Sequence, residues 1–207
     1  MRKNILSLLD QIRAIAAEGL EYAKDNYDIE RYKKLMEIAA GEYSEAAGIP
    51  QNKIEKELKK EIGCITPKLG IDIAITNKEG KLLILKRTDD SKWGVPCGWA
   101  NIGEKPLETA VREAKEETNI LIKPLGYIAI TAKGPDDYPK LAHQIDILVA
   151  TEPVGKETKV KLNHEHSDYK WIGKKETNSI DWHPGHKRLK KPIFEFVKNG
   201  KYIPHFE

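Results

Sequence analysis

Trp93–Ile120 reads WGVPCGWANIGEKPLETAVREAKEETNI. Pro106 suits the first turn of a helix, where its missing N–H costs nothing. Leu107, Ala110, Val111 and Ala114 then recur at three- and four-residue steps and form one apolar stripe. At about 100° per residue, Glu113, Glu116 and Glu117 share another face of the same helix. Carboxylates three and four apart repel, at a few tenths of a kcal/mol per pair. Such a cluster on a packed helix calls for a cation, and an all-oxygen donor set favours a hard ion, Mg²⁺ or Mn²⁺. The plain alternative is a solvated acidic face partnered by Arg112 and Lys115.

The residues upstream discriminate between these readings. Glu104 follows Gly98 at six residues, Arg112-Glu113 follow Glu104 at eight, Glu116-Glu117 come next, and Ile120 closes the run. This resembles the signature of the Nudix hydrolases: Gly, five residues, Glu, seven residues, Arg-Glu, an apolar residue, any residue, Glu-Glu, any residue, Gly, an apolar residue. Ala114 and Ile120 fill the apolar slots. Asn119 stands where the family has glycine. A helix end there needs positive φ, which Asn tolerates next best. Leu85-Lys86-Arg87 and Trp93-Gly94-Val95-Pro96 lead into the pattern as they commonly do in the family, with Cys97 where many members carry a second glycine.

Outward from this stretch the chain divides in texture. Ile5, Leu8, Leu9, Ile12, Ile15, Ala16, Leu20 and Ala23 predict an amphipathic helix over 4–25. Asn26 reads as a stop, Asp28 as an N-cap and 31–47 as a second helix. Gly48-Ile49-Pro50 breaks it, and 51–62 reads as a third helix before Gly63. From Leu69 the period becomes two. Ile71, Ile73 and Ile75 predict a strand, Asn77–Gly80 a turn and 81–86 a second strand. Strands are also predicted over 123–133, 142–151 and 168–172, with a closing helix over 186–198. The expected architecture is α+β: an all-helical domain over 1–65 and, over 66–207, the α/β/α sandwich with a mixed sheet that the resemblance implies. Ile15–Leu20 and Tyr27–Tyr32 also resemble a helical extension of Nudix enzymes described as acting on CDP-choline or ADP-ribose.

Composition narrows the function classes. The 35 Lys and Arg nearly balance 32 Asp and Glu, and 40% of residues are hydrophobic, which excludes a charge-dominated disordered chain. The balance also argues against a dedicated nucleic-acid binder, although the part from Lys156 onward is basic. No apolar run approaches the ~18–20 residues of a membrane span. Arg2 and Lys3 precede an apolar stretch interrupted by Asp10 and Arg13, so a signal peptide is not expected. Cys64 and Cys97 lack paired spacing and fit a reducing cytoplasm.

The resemblance implies Mg²⁺- or Mn²⁺-dependent hydrolysis of a nucleoside diphosphate linked to a moiety X, of ADP-ribose or CDP-choline type. It casts Glu113, Glu116 and Glu117 as metal ligands, Glu104 as a residue that assists metal binding or positions water, and Arg112 as the holder of a glutamate rotamer. Glu117 and Glu165 are both candidates for the general base. His164 and His166 flank Glu165; with two-residue spacing and no third ligand in view, they read as loop and strand-edge residues rather than a zinc site. Gly98 lets backbone N–H groups face phosphate at the helix start, where the dipole favours anions. Lys86 and Arg87 are candidates for phosphate contact, and Trp99 and Tyr138 for stacking on a base or sugar. Pro135 lies fifteen residues past Ile120, a spacing common in ADP-ribose-specific members. A nucleotide sensor without turnover and an RNA-directed nuclease or decapping enzyme are the alternatives. The N-terminal apolar stripes exceed what three short helices can bury, so they pack on the catalytic domain as a cap, on a second copy of the chain, or on both; a homodimer is the expectation and a cap on its own chain the alternative.

Overall fold

The computed structural model describes residues 5–58, 66–101, 103–134, 143–155, 159–199 and 205–206. Contacts divide them into two units.

The first unit is helical. Its elements are α1 (Ile5–Tyr22), α2 (Asn26–Ala47) and α3 (Gln51–Leu58). Lys133, Gly134 and His143 group with them. The start of α2 corrects the expected N-cap. Asp25, not Asp28, accepts from Tyr27 N (2.8 Å) and Asp28 N (3.3 Å), while Asp28 pairs with Arg31 (2.7 Å) from inside the first turn. Asn26 therefore opens a helix instead of closing one. Gly48 ends α2 at φ 66°, in the left-handed region where a missing Cβ removes the strain. At Gly19 a Cβ would stand 2.4 Å from the Tyr32 ring, so glycine is what lets α1 and α2 approach. Leu6, Leu9, Ala40, Tyr43 and Ile54 form a small core. Asp10 and Arg13 are buried as an ion pair, and His143 Nε2 reaches Asp10 Oδ2 at 2.7 Å.

The second unit holds β1 (Lys68–Ile75), β2 (Leu82–Arg87), β3 (Trp93–Gly94), β4 (Cys97–Trp99), α4 (Pro106–Thr118), β5 (Ile122–Lys133), β6 (Gln144–Pro153) and β7 (His166–Ile172). A 3₁₀ turn (Lys174–Ser179), α5 (Pro184–Lys187), α6 (Lys190–Asn199) and β8 (His205–Phe206) follow. The strands form a five-stranded sheet, β4-β1-β6-β5-β8, and a three-stranded sheet, β3-β2-β7. β1 runs parallel to β6 and antiparallel to β4. The sequence alternation in β1 understates its burial: 70–75 are all buried, because apolar layers cover both faces. Ile71, Ile73 and Val149 meet Ala110 and Ala114 of α4 on one side. Ala74, Leu148 and Ala150 meet Leu189, Ile193 and Phe194 on the other. This is the α/β/α sandwich with a mixed sheet.

Two expected elements change shape. The Asn77–Gly80 turn forms, with Asn77 Oδ1 accepting from Glu79 N and Lys81 N (3.0 and 2.9 Å). Yet among the described residues β1 and β2 meet at the Thr76–Leu82 bridge before parting into different sheets. The single closing helix is instead α5 and α6. Pro192 lacks the N–H that would bond the Arg188 carbonyl, so no helix can run unbroken through 188–192.

Candidate active site

Pro106 starts α4, and Glu108 Oε2 accepts from Lys105 N (3.0 Å) to satisfy its first turn. Asn119 ends it at φ 60°, with its N–H on Lys115 O (3.0 Å). The helix thus runs from Pro106 to Thr118, docked by Ala110 and Ala114, which fixes the direction of its glutamates.

Arg112 is the hub. Its Nε and Nη2 donate to the two oxygens of Glu104 (2.8 and 2.9 Å). Nη1 donates to Glu113 (2.7 Å) and Glu116 (3.1 Å), and Nη2 also reaches the Trp99 carbonyl (3.0 Å). Glu104 additionally accepts from Asn101 N (3.0 Å) and Thr109 Oγ1 (2.9 Å). The guanidinium and these donors hold its carboxyl down to about 2.

Gly98 meets the carboxylate side of α4. A Cβ there would lie 1.9 Å from Glu113 Oε1. Burial pushes the Glu113 carboxyl up, opposed by Arg112. Glu117 is 3% exposed and accepts from Cys97 N at 3.1 Å. Burial pushes its carboxyl well above the ordinary range, the Glu113 charge adds to this, and the Cys97 N–H opposes it. Glu116 stays exposed at the rim.

The loop between β6 and β7 completes the cluster, with Val160 and Leu162 packed in the same core as α4. Lys161 N bonds Thr118 O (2.9 Å) and Asn163 N bonds Glu117 O (3.4 Å), strapping the loop to the end of α4. Thr88 N and Oγ1 both bond the Glu165 carbonyl (2.9 and 3.0 Å). As a result one ligand atom each from Glu117, Glu165 and His166 lie within 4.8 Å of one another. His166, read from sequence as a strand-edge residue, begins β7 but belongs to this group. Burial lowers its pKa, with Glu165 opposing. The only sequence signal for it was adjacency to Glu165.

Of the substrate candidates, Arg87 is already occupied by Asp89, Nε–Oδ1 at 2.9 Å and Nη2–Oδ2 at 2.5 Å. Trp99 is 47% exposed at the end of β4. Tyr138, Pro135 and Cys64 lie outside the described residues.

The donor set tests a divalent cation favourably. Burial holds the carboxyls of Glu117 and Glu113 up and the neighbouring charge of Glu165 adds to this, a cost that an ion among them would relieve. Carboxylates in this arrangement can hold an ion, polarise a phosphoryl oxygen and accept a proton from water.

Comparison with known proteins agrees with this geometry. The NUDIX domain profile matches residues 66–192. The profile described as a UDP-X-like, N-terminal oligomerisation domain matches residues 3–58. YjhB of Bacillus subtilis (strain 168), provisionally named an ADP-ribose pyrophosphatase, is 32% identical over 163 residues, 77% of each chain. The ADP-ribose pyrophosphatase of Methanocaldococcus jannaschii is 32% identical over 108 residues, 51% of this chain and 62% of that one. The crystal structure of a UDP-X diphosphatase shares the fold, with a TM-score of 0.59 at 19% identity, over 98% of this chain and 97% of that one. A family profile spanning most of the chain, a relative aligned over three quarters of its length and the carboxylate helix place this chain in the Nudix hydrolase family.

Proposed function

We propose that this enzyme hydrolyses the diphosphate linkage of a nucleoside diphosphate joined to a second moiety, releasing a nucleoside monophosphate and a phosphorylated second product. ADP-ribose is the first candidate substrate, because two relatives carry its name; CDP-choline is the second. The observation that carries the reading is the convergence of Glu113, Glu117 and Glu165 beside Gly98, backed by the Arg112 hub.

In this reading Glu113, Glu116 and Glu117 hold Mg²⁺ or Mn²⁺, which neutralises phosphate oxygens and lowers the pKa of water. Arg112 keeps Glu113 and Glu116 in place and uses Glu104 as its own anchor. Glu165 or Glu117 accepts the proton of the attacking water. The water oxygen bonds to one phosphorus, the bridging P–O bond breaks, and the proton passes on to solvent. Trp99 and Arg87 border the nucleotide, the latter by exchanging Asp89 for phosphate; Tyr138 is assigned the same border from sequence.

Residues 66–207 are the hydrolase domain and 1–65 the dimerisation domain in this proposal. Ile15 is 64% exposed and Ile38 50%, apolar surface that a second copy would cover. Among the described residues no helix is long and apolar enough to cross a membrane; a nucleotide substrate suits the cytoplasm.

The test is a panel of ADP-ribose, CDP-choline, UDP-sugars and 5′-triphosphate RNA with Mg²⁺ or Mn²⁺, read as phosphate released after phosphatase coupling. Turnover of a nucleoside diphosphate-X supports the reading. Tight binding without turnover supports a sensor, and turnover of RNA alone an RNA-directed enzyme.

A further inference from the structure

His166 sits one residue past Glu165 at the start of β7, and its tautomer can be read from its neighbours. Asn163 Oδ1 accepts the Glu165 backbone N–H at 3.1 Å. Asn163 Nδ2 faces Glu165 Oε2 at 3.5 Å. Both contacts identify Oδ1 as the carbonyl oxygen, an acceptor. The His166 Nδ1 that meets it at 3.2 Å must therefore carry the proton. In the neutral ring this leaves the lone pair on Nε2, the arrangement second-sphere carbonyls impose on metal-binding histidines.

A second cluster, around the buried His186, shows the opposite state. His186 Nδ1 accepts the Val95 N–H (3.2 Å), which puts the proton of a neutral ring on Nε2, facing Asp72 Oδ1 at 3.4 Å. Asp72, Cys97 and His186 also lie within 4.8 Å of one another, yet that Nε2 has no lone pair to offer. Both clusters meet the same distance limit; of these two histidines, His166 is the one whose Nε2 is set to donate.

We propose that His166, through Nε2, joins Glu117 and Glu165 as a ligand of a divalent cation, and that this nitrogen makes the position prefer a first-row transition ion such as Mn²⁺ over Mg²⁺. Imidazole nitrogen binds transition ions better than it binds Mg²⁺, which keeps to oxygen and water. An ion with ligands about 2.1 Å away spans donors up to about 4.2 Å apart; one ring nitrogen of His166 already lies within 4.8 Å of carboxylate oxygens of Glu117 and Glu165, so side-chain rotation would bring Nε2 and both carboxylates onto one ion. Glu117 sits on α4, whereas Glu165 and His166 come from the loop strapped to its end, so the ion would tie the two together. The inference rests on the carboxylate site proposed above and adds two ligands from outside the sequence pattern, the Glu165 carboxylate and the His166 nitrogen.

The test is direct metal binding, without substrate. Free Mn²⁺ is followed by electron paramagnetic resonance during titration of the full chain, and Mg²⁺ by competition. The expected result is that His166→Gln weakens Mn²⁺ binding about 10–100-fold and Mg²⁺ binding less than about threefold. Asn163→Ala, which frees the tautomer but keeps the ring, should lower the Mn²⁺ preference in the same direction by a smaller factor. Glu117→Gln should weaken both ions. Metal-free melting curves show whether each variant folds; if His166→Gln does not, Asn163→Ala decides alone. Wild-type binding of both ions with a Mn²⁺/Mg²⁺ ratio unchanged in the folded variants overturns the His166 assignment and leaves the carboxylate site standing. Failure of the wild type to bind either ion overturns both.

Discussion

A methyl group at position 98 would occupy the space of a Glu113 oxygen, so the first glycine of the motif is required by a neighbouring carboxylate as well as by its own strand. Gly98→Ala should leave the melting temperature within a few degrees while lowering kcat by about a hundredfold, because Glu113 must turn away. Steady-state kinetics beside a thermal melt checks this. Glu116→Gln should likewise remove most activity with the fold intact, and relieving like charge should leave the metal-free protein as stable or slightly more so. Glu117 and Glu104 act on stability with opposite signs. The folded-state pKa of Glu117 is raised, so its contribution is favourable below its unfolded value near ~4.3 and is lost as pH rises through the folded value. Metal-free Glu117→Gln should therefore melt higher than wild type at pH 7 to 8, and the gap should close toward pH 4. Glu104 has its folded pKa lowered to about 2. Its contribution is present above ~4.3 and lost as pH falls toward 2, so Glu104→Gln should melt lower at neutral pH and converge with wild type in acid. Melting series from pH 2 to 8 in chelator measure both; no pH dependence of either difference would refute the electrostatics.

At the scale of elements, α4 is the segment on which sequence and structure agree from end to end. Apolar periodicity, a first-turn proline and a positive-φ residue at the close are all local signals, and each operates as local chemistry requires. Asn119 replaces the family's glycine at φ 60°, and its Oδ1 takes a 2.6 Å bond from Lys115 Nζ. Asn119→Ala should cost about 1 kcal/mol in urea unfolding, because alanine keeps a Cβ in the left-handed region but loses the short polar side chain that lets asparagine tolerate it and that accepts from Lys115, with kcat unchanged. Asn119→Gly should fall within about 0.5 kcal/mol of wild type, since relief of strain trades against that bond. The elements misjudged from sequence fail for stated reasons. Asp28 and Asp25 are equally good caps by composition, and the choice depends on how short the turn after α1 is. β4 has three residues, too few for periodicity to register, and exists because β1 offers it a free edge. The expected closing helix covers a run rich in helix formers, but Pro192 is accommodated only in a first turn, so a new helix starts at Lys190.

For the whole molecule, metal and self-association are the levers. A cation bound only by the folded state adds about 2.7 kcal/mol at a hundred times its Kd. Millimolar Mg²⁺ or Mn²⁺ should therefore raise the melting temperature by several degrees, and should do so weakly in Glu117→Gln. In the first unit Ile5, Leu8 and Ile15 remain exposed although they lie on the stripe that sequence assigns to burial, and Leu35 and Ile38 are exposed on α2. The core of that unit is small, so these side chains are surplus to it. Ile15→Asp with Ile38→Asp should convert a dimer to a monomer in light scattering at micromolar concentration, with the metal-free hydrolase domain still folded. A wild-type monomer at that concentration would end the dimer proposal.

The chain's sequence by itself determined what repeats or spaces locally: a helical N-terminal part, a strand-rich remainder, the α4 boundaries, and three glutamates on one face with Arg112 four residues before Glu116. These follow from 3.6- and 2-residue periods, which need no partner. Only the tertiary structure decided which groups from distant segments join them. Gly98 meets Glu113 because β4 pairs with β1. Arg87 is committed to Asp89 across a turn. Glu165 and His166 reach Glu117 because Lys161 and Asn163 hydrogen-bond the last turn of α4. Residues far apart in the chain carry no periodic signal of their meeting; the hydrogen bonds that bring them together form only once the sheet and helix have packed.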